Sequence, residues 1–295
     1  MKANKVAWIG LGRMGLPMAT HLVSAGHTVT GYDLSEDSLA RAEAVGIRRA
    51  LSIKEALADA DIVFTMLPQG ADVLDVYQGP DGILAHAETS SLLVDSSTIS
   101  IAACSELHRI TSEAGFRFLD APVSGGTMGA EAGTLAFMVG GDEEAFGDAS
   151  EVISAMSSNL FHTGGPTTGQ VAKICNNLIL FINLSATAEG AVLAERLGLD
   201  KQKFFEIASV SSADSWPLRN WYPIPDVVDT AASSRDFDSP TFTARLARKD
   251  VSLAVEAADD IGETLKLGQL VQGFYDELIE AGLGDKDCSI ISRLM

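Results

Sequence analysis

Positive charge is scarce in this chain. It has 21 lysines and arginines against 40 aspartates and glutamates, a formal net charge of −19. That balance argues against nucleic acid and against an acidic membrane surface as partners. An anionic ligand would need local positive groups set against the global field. Cysteine is scarce too. Cys104, Cys175 and Cys288 are scattered, with no metal-ligand spacing and no disulfide pattern, so no metal is expected. A reducing compartment, the cytoplasm, is the expected location. Cys175 is expected to be inert packing in a buried helix. Internal repeats and low-complexity tracts are missing. Met1-Lys2-Ala3-Asn4 runs straight into the first strand, so no leader is expected.

What the chain does have is length and apolar content. Its 295 residues are comfortable for two domains, and 46% hydrophobic residues with 27 glycines fit a packed α/β protein. The stretch Gly164–Glu195 reads as one long helix, apolar on nearly every face, and at ~1.5 Å per residue it would be roughly 45 Å long. Pro166 suits its first turn, and Thr167 or Thr168 could cap it. No residue from Ile174 to Ala188 is charged, a run short of a membrane span. A helix apolar all round is expected to be buried. Lys173 and Asn177, four residues apart, share one helical face. A lone lysine there reads as snorkelling at a helix end; beside other site residues it reads as chemistry.

The chain opens with the apolar run Lys5–Ile9. Gly10-Leu11-Gly12-Arg13-Met14-Gly15 then fits G-x-G-x-x-G, followed by helical spacing over Leu16–Ala25. A second strand, Thr28–Tyr32, ends at Asp33, 23 positions after Gly10. Strand, glycine turn, helix and acid together predict a dinucleotide site. Gly10 allows the tight turn, Gly12 lets backbone approach the pyrophosphate, and Gly15 lets helix and strand pack closely. Asp33 would accept hydrogen bonds from the adenosine ribose and repel a 2′-phosphate, favouring NAD over NADP. Its other reading is an ordinary turn residue before Ser35.

Alternation continues. Helices are predicted at Ser52–Ala60, Ala71–Val76 and Ile99–Gly115, with strands at Asp61–Leu67, Ser91–Asp95 and Arg117–Leu119. Leu67-Pro68 and Thr98 follow strand ends, where a doubly wound sheet holds its ligand, although plain turns would look the same. Ser124-Gly125-Gly126 offers a hydroxyl and open N–H groups that can cradle a carboxylate. The alternative is a flexible link before Thr127–Gly133. Leu135–Val139, a helix from Asp142 and Leu160–His162 complete the first domain. Beyond Glu195, helices are predicted at Lys201–Ser209, Phe242–Ile261 and Gly268–Ala281, with Ser212–Pro240 irregular. Arg245, Arg248 and Lys249 form a basic knot, more often a solvated face than a site. Phe242, Leu246 and Lys249 share a face.

These blocks resemble the β-hydroxyacid dehydrogenase family over essentially the whole chain. Gly10–Gly15, Asp120–Gly126, Gly169–Asn177 (GQVAKICNN) and Lys249-Asp250 carry the resemblance, with Lys286–Ser289 and SSADSWPLRNWYPIP in support. It implies Lys173 as the catalytic lysine and Ser124, Gly125, Gly126 and Asn177 as the hold on the substrate. It also implies Leu67, Pro68, Thr98 and Lys249 as cofactor contacts, with Phe242 near the nicotinamide. The expected architecture is α/β. A Rossmann-type doubly wound domain takes residues 1–163, a long interdomain helix follows, and an all-helical domain over 164–295 serves substrate and oligomerisation.

The expected reaction is hydride transfer from a short 3-hydroxy acid, such as 3-hydroxyisobutyrate, to NAD, with Lys173 as general base or acid. Burial near other cations would lower the lysine's proton affinity enough for that role. Trp216, Trp221, Tyr222 and Phe242 are candidates for an apolar wall. The runner-up is reduction of tartronate semialdehyde. A decarboxylating relative would need a longer helical domain, and an imine reductase usually lacks the lysine. A non-enzymatic NAD-binding module would lose the lysine and carry a basic surface. A homodimer or homotetramer is expected, because so apolar a helix needs apolar partners.

Overall fold

A computed structural model describes residues 3–295. Met1 and Lys2, the start of the direct run into the first strand, lie outside the described residues. Two compact units divide at Lys173 and Ile174.

The first unit is built on a nine-stranded sheet among the described residues. Its strands are β1 (Lys5–Ile9), β2 (Thr28–Tyr32), β3 (Arg48–Arg49), β4 (Ile62–Thr65), β5 (Leu92–Asp95), β6 (Arg117–Asp120), β7 (Val123–Ser124), β8 (Leu135–Gly141) and β9 (Ser157–Gly164). The path is β3-β2-β1-β4-β5-β6-β8-β7, with β9 beside β8. From β3 to β6 every pairing is parallel; β8 runs antiparallel to β6 and β7. The order reverses at β1 and β4, so the crevice for a ligand opens beyond their carboxyl ends.

Strands covered on both faces need apolar residues throughout, and IVFT and LLVD supply them. Alternate side chains feed opposite layers. Trp8 joins Met18, Leu22 and Phe137 on one face, while Ala7 and Ile9 join Tyr77, Leu93 and Leu107 on the other. Helices start where a side chain can take orphan N–H groups. Ser35 caps α2 (Glu36–Ala44), Ser100 caps α6 (Ile101–Glu113) and Asp142 caps α8 (Glu143–Ser154). The others in this unit are α1 (Gly15–Ser24), α3 (Ile53–Ala56), α4 (Gly70–Gln78), α5 (Ile83–His86) and α7 (Gly126–Ala132). The helix expected over Ser52–Ala60 stops early, with Asp59 turning at φ +57°. The small-residue stretch Thr127–Gly133 is not a link but α7, closed by Gly133 in the left-handed conformation.

The long helix is α9 (Thr168–Arg196), 29 residues and roughly 43 Å. Within one chain its burial is one-sided. Gln170, Lys173, Ile174, Asn177, Phe181, Leu184, Ala188 and Ala191 form one buried stripe at helical spacing. Off that stripe, Ile179 is 60% and Leu193 58% exposed, and Cys175 is exposed rather than packed. The polar Gln170, Lys173 and Asn177 thus share the covered side with apolar residues, while the apolar Ile179 and Leu193 face outward. By length and composition alone, α9 is also apolar enough to cross a membrane, because its apolar character continues past the uncharged run; about a third of its most apolar window is buried.

The second unit holds the rest of α9 with α10 (Lys201–Ala208), α11 (Trp216–Asn220), α12 (Ala244–Asp260) and α13 (Lys266–Glu280). Phe181, Leu184, Val251, Tyr275 and Leu278 share its main core. The segment expected to be irregular contains α11, capped by Ser215 with Pro217 in its first turn. The Lys286–Ser289 tail clamps the start of α12. Asp287, fully buried, accepts the Thr241 N–H at 3.0 Å and the Ser289 hydroxyl at 2.7 Å.

Candidate active site

The glycine turn after β1 is shaped by contact and by openness. Gly10 has φ +96°, and a Cβ there would lie 2.3 Å from the Met66 carbonyl oxygen. A Cβ on Gly15 would lie 2.0 Å from the Gly10 oxygen, so α1 and β1 pack backbone to backbone. Around a Cβ on Gly12 none of the described residues comes within 4 Å, which leaves backbone bare to an approaching phosphate. No side chain caps α1, so its first N–H groups face the same place. Leu11 is core, and its N–H donates to Asp33 Oδ2 at 2.7 Å. Asp33 Oδ1 accepts the Ser35 N–H at 2.8 Å, so one carboxylate holds the turn while staying partly exposed. Arg13 is exposed and Met14 half-buried on this turn. The bare backbone, uncapped helix and strand-end carboxylate fit a dinucleotide.

Leu67 and Pro68 follow β4, and Thr98 follows β5. A buried polar network underlies them. Asp95 Oδ1 accepts the hydroxyls of Thr65 and Ser97, each at 2.7 Å. Ser97 Oγ in turn accepts the Leu67 N–H at 2.9 Å. Burial pushes the Asp95 carboxyl up to about 6, against the lowering effect of the Ser97 and Thr65 hydrogen bonds. Among the described residues its Oδ2 atom has no hydrogen-bond partner.

Ser124, partly exposed, ends β7, and Gly125 and Gly126 follow at φ +132° and +60°. Space around a Gly126 Cβ is open to 4 Å. The Asp120 that begins this block does something unforeseen. Its carboxylate accepts the N–H of Thr167 at 3.0 Å and of Gln170 at 2.9 Å, and meets His108 Nε2 at 2.8 Å. Asp120, not Thr167 or Thr168, is therefore the cap of α9. A carboxylate makes the stronger, charge-assisted bonds. Thr168 turns its hydroxyl back to the Gly165 oxygen at 2.8 Å, and Thr167 sits at φ +69°. The potential ligand atoms of Cys104, His108 and Asp120 lie within 4.8 Å of one another. Both Asp120 oxygens are committed to α9, and burial holds the Cys104 thiol well up, so this group anchors the helix.

Lys173 is 8% exposed and Asn177 2%, one turn apart on the buried stripe. The Asn177 carboxamide donates to Asp250 Oδ2 at 2.6 Å, and its own oxygen accepts from Asn176 at 3.0 Å. Lys249 Nζ lies 3.3 Å from Asp250 Oδ1, an ion pair without hydrogen-bond geometry. Asn177 and Lys249 thus meet at one carboxylate. The rest of the basic knot is neutralised singly, Arg248 by Asp276 at 2.8 Å and Arg245 by Asp285 at 3.3 Å. Phe242 lies 5.7 Å from Phe181 and 6.1 Å from Trp221, ring centre to ring centre, and Trp216 lies 5.0 Å from Trp221. Tyr222 does not join them; it is fully buried in a separate core. Asp95, Asp120, Gln170 and Asp250 are the residues that sequence reasoning gave no role. Three of them stand inside motifs it quoted, but their bonds to or from α9 reach partners 47 to 73 positions away.

The sequence matches the NAD binding domain of 6-phosphogluconate dehydrogenase over residues 5–164. Residues 167–295 match the family described as NAD-binding of NADP-dependent 3-hydroxyisobutyrate dehydrogenase. The chain belongs to the β-hydroxyacid dehydrogenase family. It is 41% identical over 291 residues to the NAD-dependent L-serine dehydrogenase of Pseudomonas aeruginosa, covering 99% of this chain and 97% of that protein. It is 42% identical over 289 residues to a probable mitochondrial 3-hydroxyisobutyrate dehydrogenase of Dictyostelium discoideum, covering 98% and 90%. The solved 3-hydroxyisobutyrate dehydrogenase of Mycobacterium tuberculosis, described with L-serine, superposes with a TM-score of 0.92 at 40% identity and 99% coverage of both chains. This β-hydroxyacid dehydrogenase is an NAD-dependent enzyme with a Rossmann-type N-terminal domain and a helical C-terminal region.

Proposed function

We propose that this β-hydroxyacid dehydrogenase oxidises 3-hydroxyisobutyrate to methylmalonate semialdehyde. The observation that carries the reading is the buried pair Lys173 and Asn177, two polar groups one turn apart on the covered face of an apolar helix. The Ser124 hydroxyl and the N–H groups of Gly125 and Gly126 receive the substrate carboxylate, and the Asn177 carboxamide is a second hold. Lys173, as the neutral amine, takes the hydroxyl proton during oxidation and returns it during reduction. NAD, when bound, accepts the hydride from the hydroxyl-bearing carbon, and the C–O single bond becomes the aldehyde carbonyl. Gly10–Gly15 and Asp33 hold the adenosine and pyrophosphate. Leu67, Pro68, Thr98, Phe242 and Lys249 contact the nicotinamide half.

The cluster of Trp216, Trp221 and Phe242 is the apolar surface for the substrate's methyl branch, worth about 1–3 kcal/mol of discrimination. L-serine is the second reading, because the Pseudomonas relative is named for it and the Mycobacterium structure is described with it. The test is kcat/KM with NAD for 3-hydroxyisobutyrate, L-serine, 3-hydroxypropionate and glycerate at one pH. The first should lead. If L-serine leads, the serine reading replaces it; if glycerate leads, the tartronate semialdehyde reductase reading does.

The working form we propose is a cytoplasmic homodimer or homotetramer, without nucleic acid or membrane as partner. A second copy would cover the exposed Ile179 and Leu193 of α9. Light scattering at low micromolar concentration should exceed the 31.0 kDa of one chain.

A further inference from the structure

Gln170 is fully buried in the first turn of α9, three positions before Lys173. The reaction described above gives it no task. Its carboxamide nevertheless makes two long-range bonds. The Nε2 group donates to the Ser97 carbonyl oxygen at 2.7 Å, and Oε1 accepts the Ile99 N–H at 3.2 Å. The residue between those two bonds is Thr98. One side chain therefore straddles the loop after β5 from both sides.

The grip extends further. Ser97, held through its carbonyl by Gln170, also accepts the Leu67 N–H through its hydroxyl. That hydroxyl is itself aimed by the bond it donates to Asp95. The loops after β4 and β5 are thus tied to each other and, through Gln170, to the first turn of α9. Gln170's own place is set by its backbone N–H, bonded to Asp120. A neutral carboxamide suits the task, because it donates and accepts at once in a buried place. A glutamate would keep the acceptor and lose the donor. A leucine would lose both and leave two buried backbone groups without partners.

We propose that Gln170 is a positioning residue, which holds the loops at the nicotinamide half of NAD in register with the helical turn that presents Lys173. This rests on the roles given above to Thr98, Leu67 and Lys173. Proton and hydride leave neighbouring atoms of one substrate, so the groups that receive them must keep a fixed spacing. A shift of about 1 Å is enough to cost on the order of a hundredfold in rate.

The test compares wild type with Gln170→Leu and Gln170→Glu. NADH and ADP-ribose are titrated against each by calorimetry. ADP-ribose carries the adenosine and pyrophosphate but no nicotinamide. Gln170→Leu should lose about tenfold in NADH affinity while ADP-ribose affinity stays within about twofold, the loss expected from two hydrogen bonds acting on one half of the ligand. Gln170→Glu should show the same split, and is read alone if the leucine variant does not fold. With substrate deuterated at the reacting carbon, kcat should fall and the isotope effect on kcat should rise. Equal losses of both ligands would mean that Gln170 only supports the fold, and unchanged NADH affinity would mean that it does not act on the loops; either overturns the proposal. The titrations need no substrate. A wild type that binds NADH but oxidises none of the four acids overturns the proposed reaction, and the titrations still decide Gln170.

Discussion

Asn177 donates a 2.6 Å hydrogen bond to Asp250, 73 positions further along the chain. Both are buried, at 2% and 3% exposure, so this bond fixes which way the carboxamide points. Asp250→Ala should let Asn177 turn and remove the contact between Lys249 and Asp250. The expected result is a rise in KM for the acid of about tenfold and a lower Tm, with kcat less affected. Asp250→Asn keeps an acceptor for Asn177 and should lose less. Steady-state kinetics on both variants checks this, and an unchanged KM in the alanine variant would detach Asn177 from Asp250.

Lys173→Ala should remove turnover and spare the cofactor. A proton-transfer role implies a loss in kcat on the order of 10²–10⁴-fold. NADH affinity and Tm should stay near wild type, because the dinucleotide turn is set by Gly10, Gly15 and Asp33. Near-normal turnover would remove Lys173 from the mechanism.

Asp33 bears on cofactor choice. It follows β2, no basic residue stands in Leu34-Ser35-Glu36-Asp37, and its carboxylate is partly exposed. Repulsion of a 2′-phosphate should make kcat/KM with NAD exceed that with NADP. Asp33→Asn keeps an acceptor for the Leu11 N–H and should narrow the gap. A wild-type preference for NADP would contradict this role for Asp33.

Asp95 makes stability depend on pH in an unusual direction. Its carboxyl is raised from 3.8 to about 6 in the fold, chiefly by burial. The folded state therefore binds this proton more tightly than the unfolded chain. Its contribution is fully present below about 4 and is lost as pH rises through about 6, an effect of up to about 3 kcal/mol. Asp95→Asn keeps acceptors for Thr65 and Ser97 and cannot ionise. The variant's stability relative to wild type should rise between pH 4 and pH 7, read by urea denaturation at both. A flat difference would show that the fold does not raise the Asp95 carboxyl above its unfolded value.

Much of the N-terminal unit was legible because its signals are local. Strand, glycine turn and helix stand within Lys5–Ala25, and Asp33 closes the next strand. The caps Ser35, Ser100 and Asp142 were equally close to the helices they begin. The cap of α9 was not, because Asp120 lies 47 positions before the N–H it accepts while two threonines at the helix start offered a local alternative. Gln170 and Asp250 were hidden for the same reason. Which side of α9 its own chain covers was not legible, because counting charges says nothing about direction. Gln170, Lys173 and Asn177 recur on the one face that is covered, and a composition-based reading sees only that the helix is apolar.

The Asp120 cap has a consequence for the order of assembly. Helix α9 does not carry the group that begins it; it borrows that group from the end of β6. The helix can take its final start only once β6 is in place. Synthesis delivers the parts in that order, since Asp120 has been made for 47 residues when Thr167 joins the chain. The lysine at the second turn is thereby placed by a sheet that was already there to receive it.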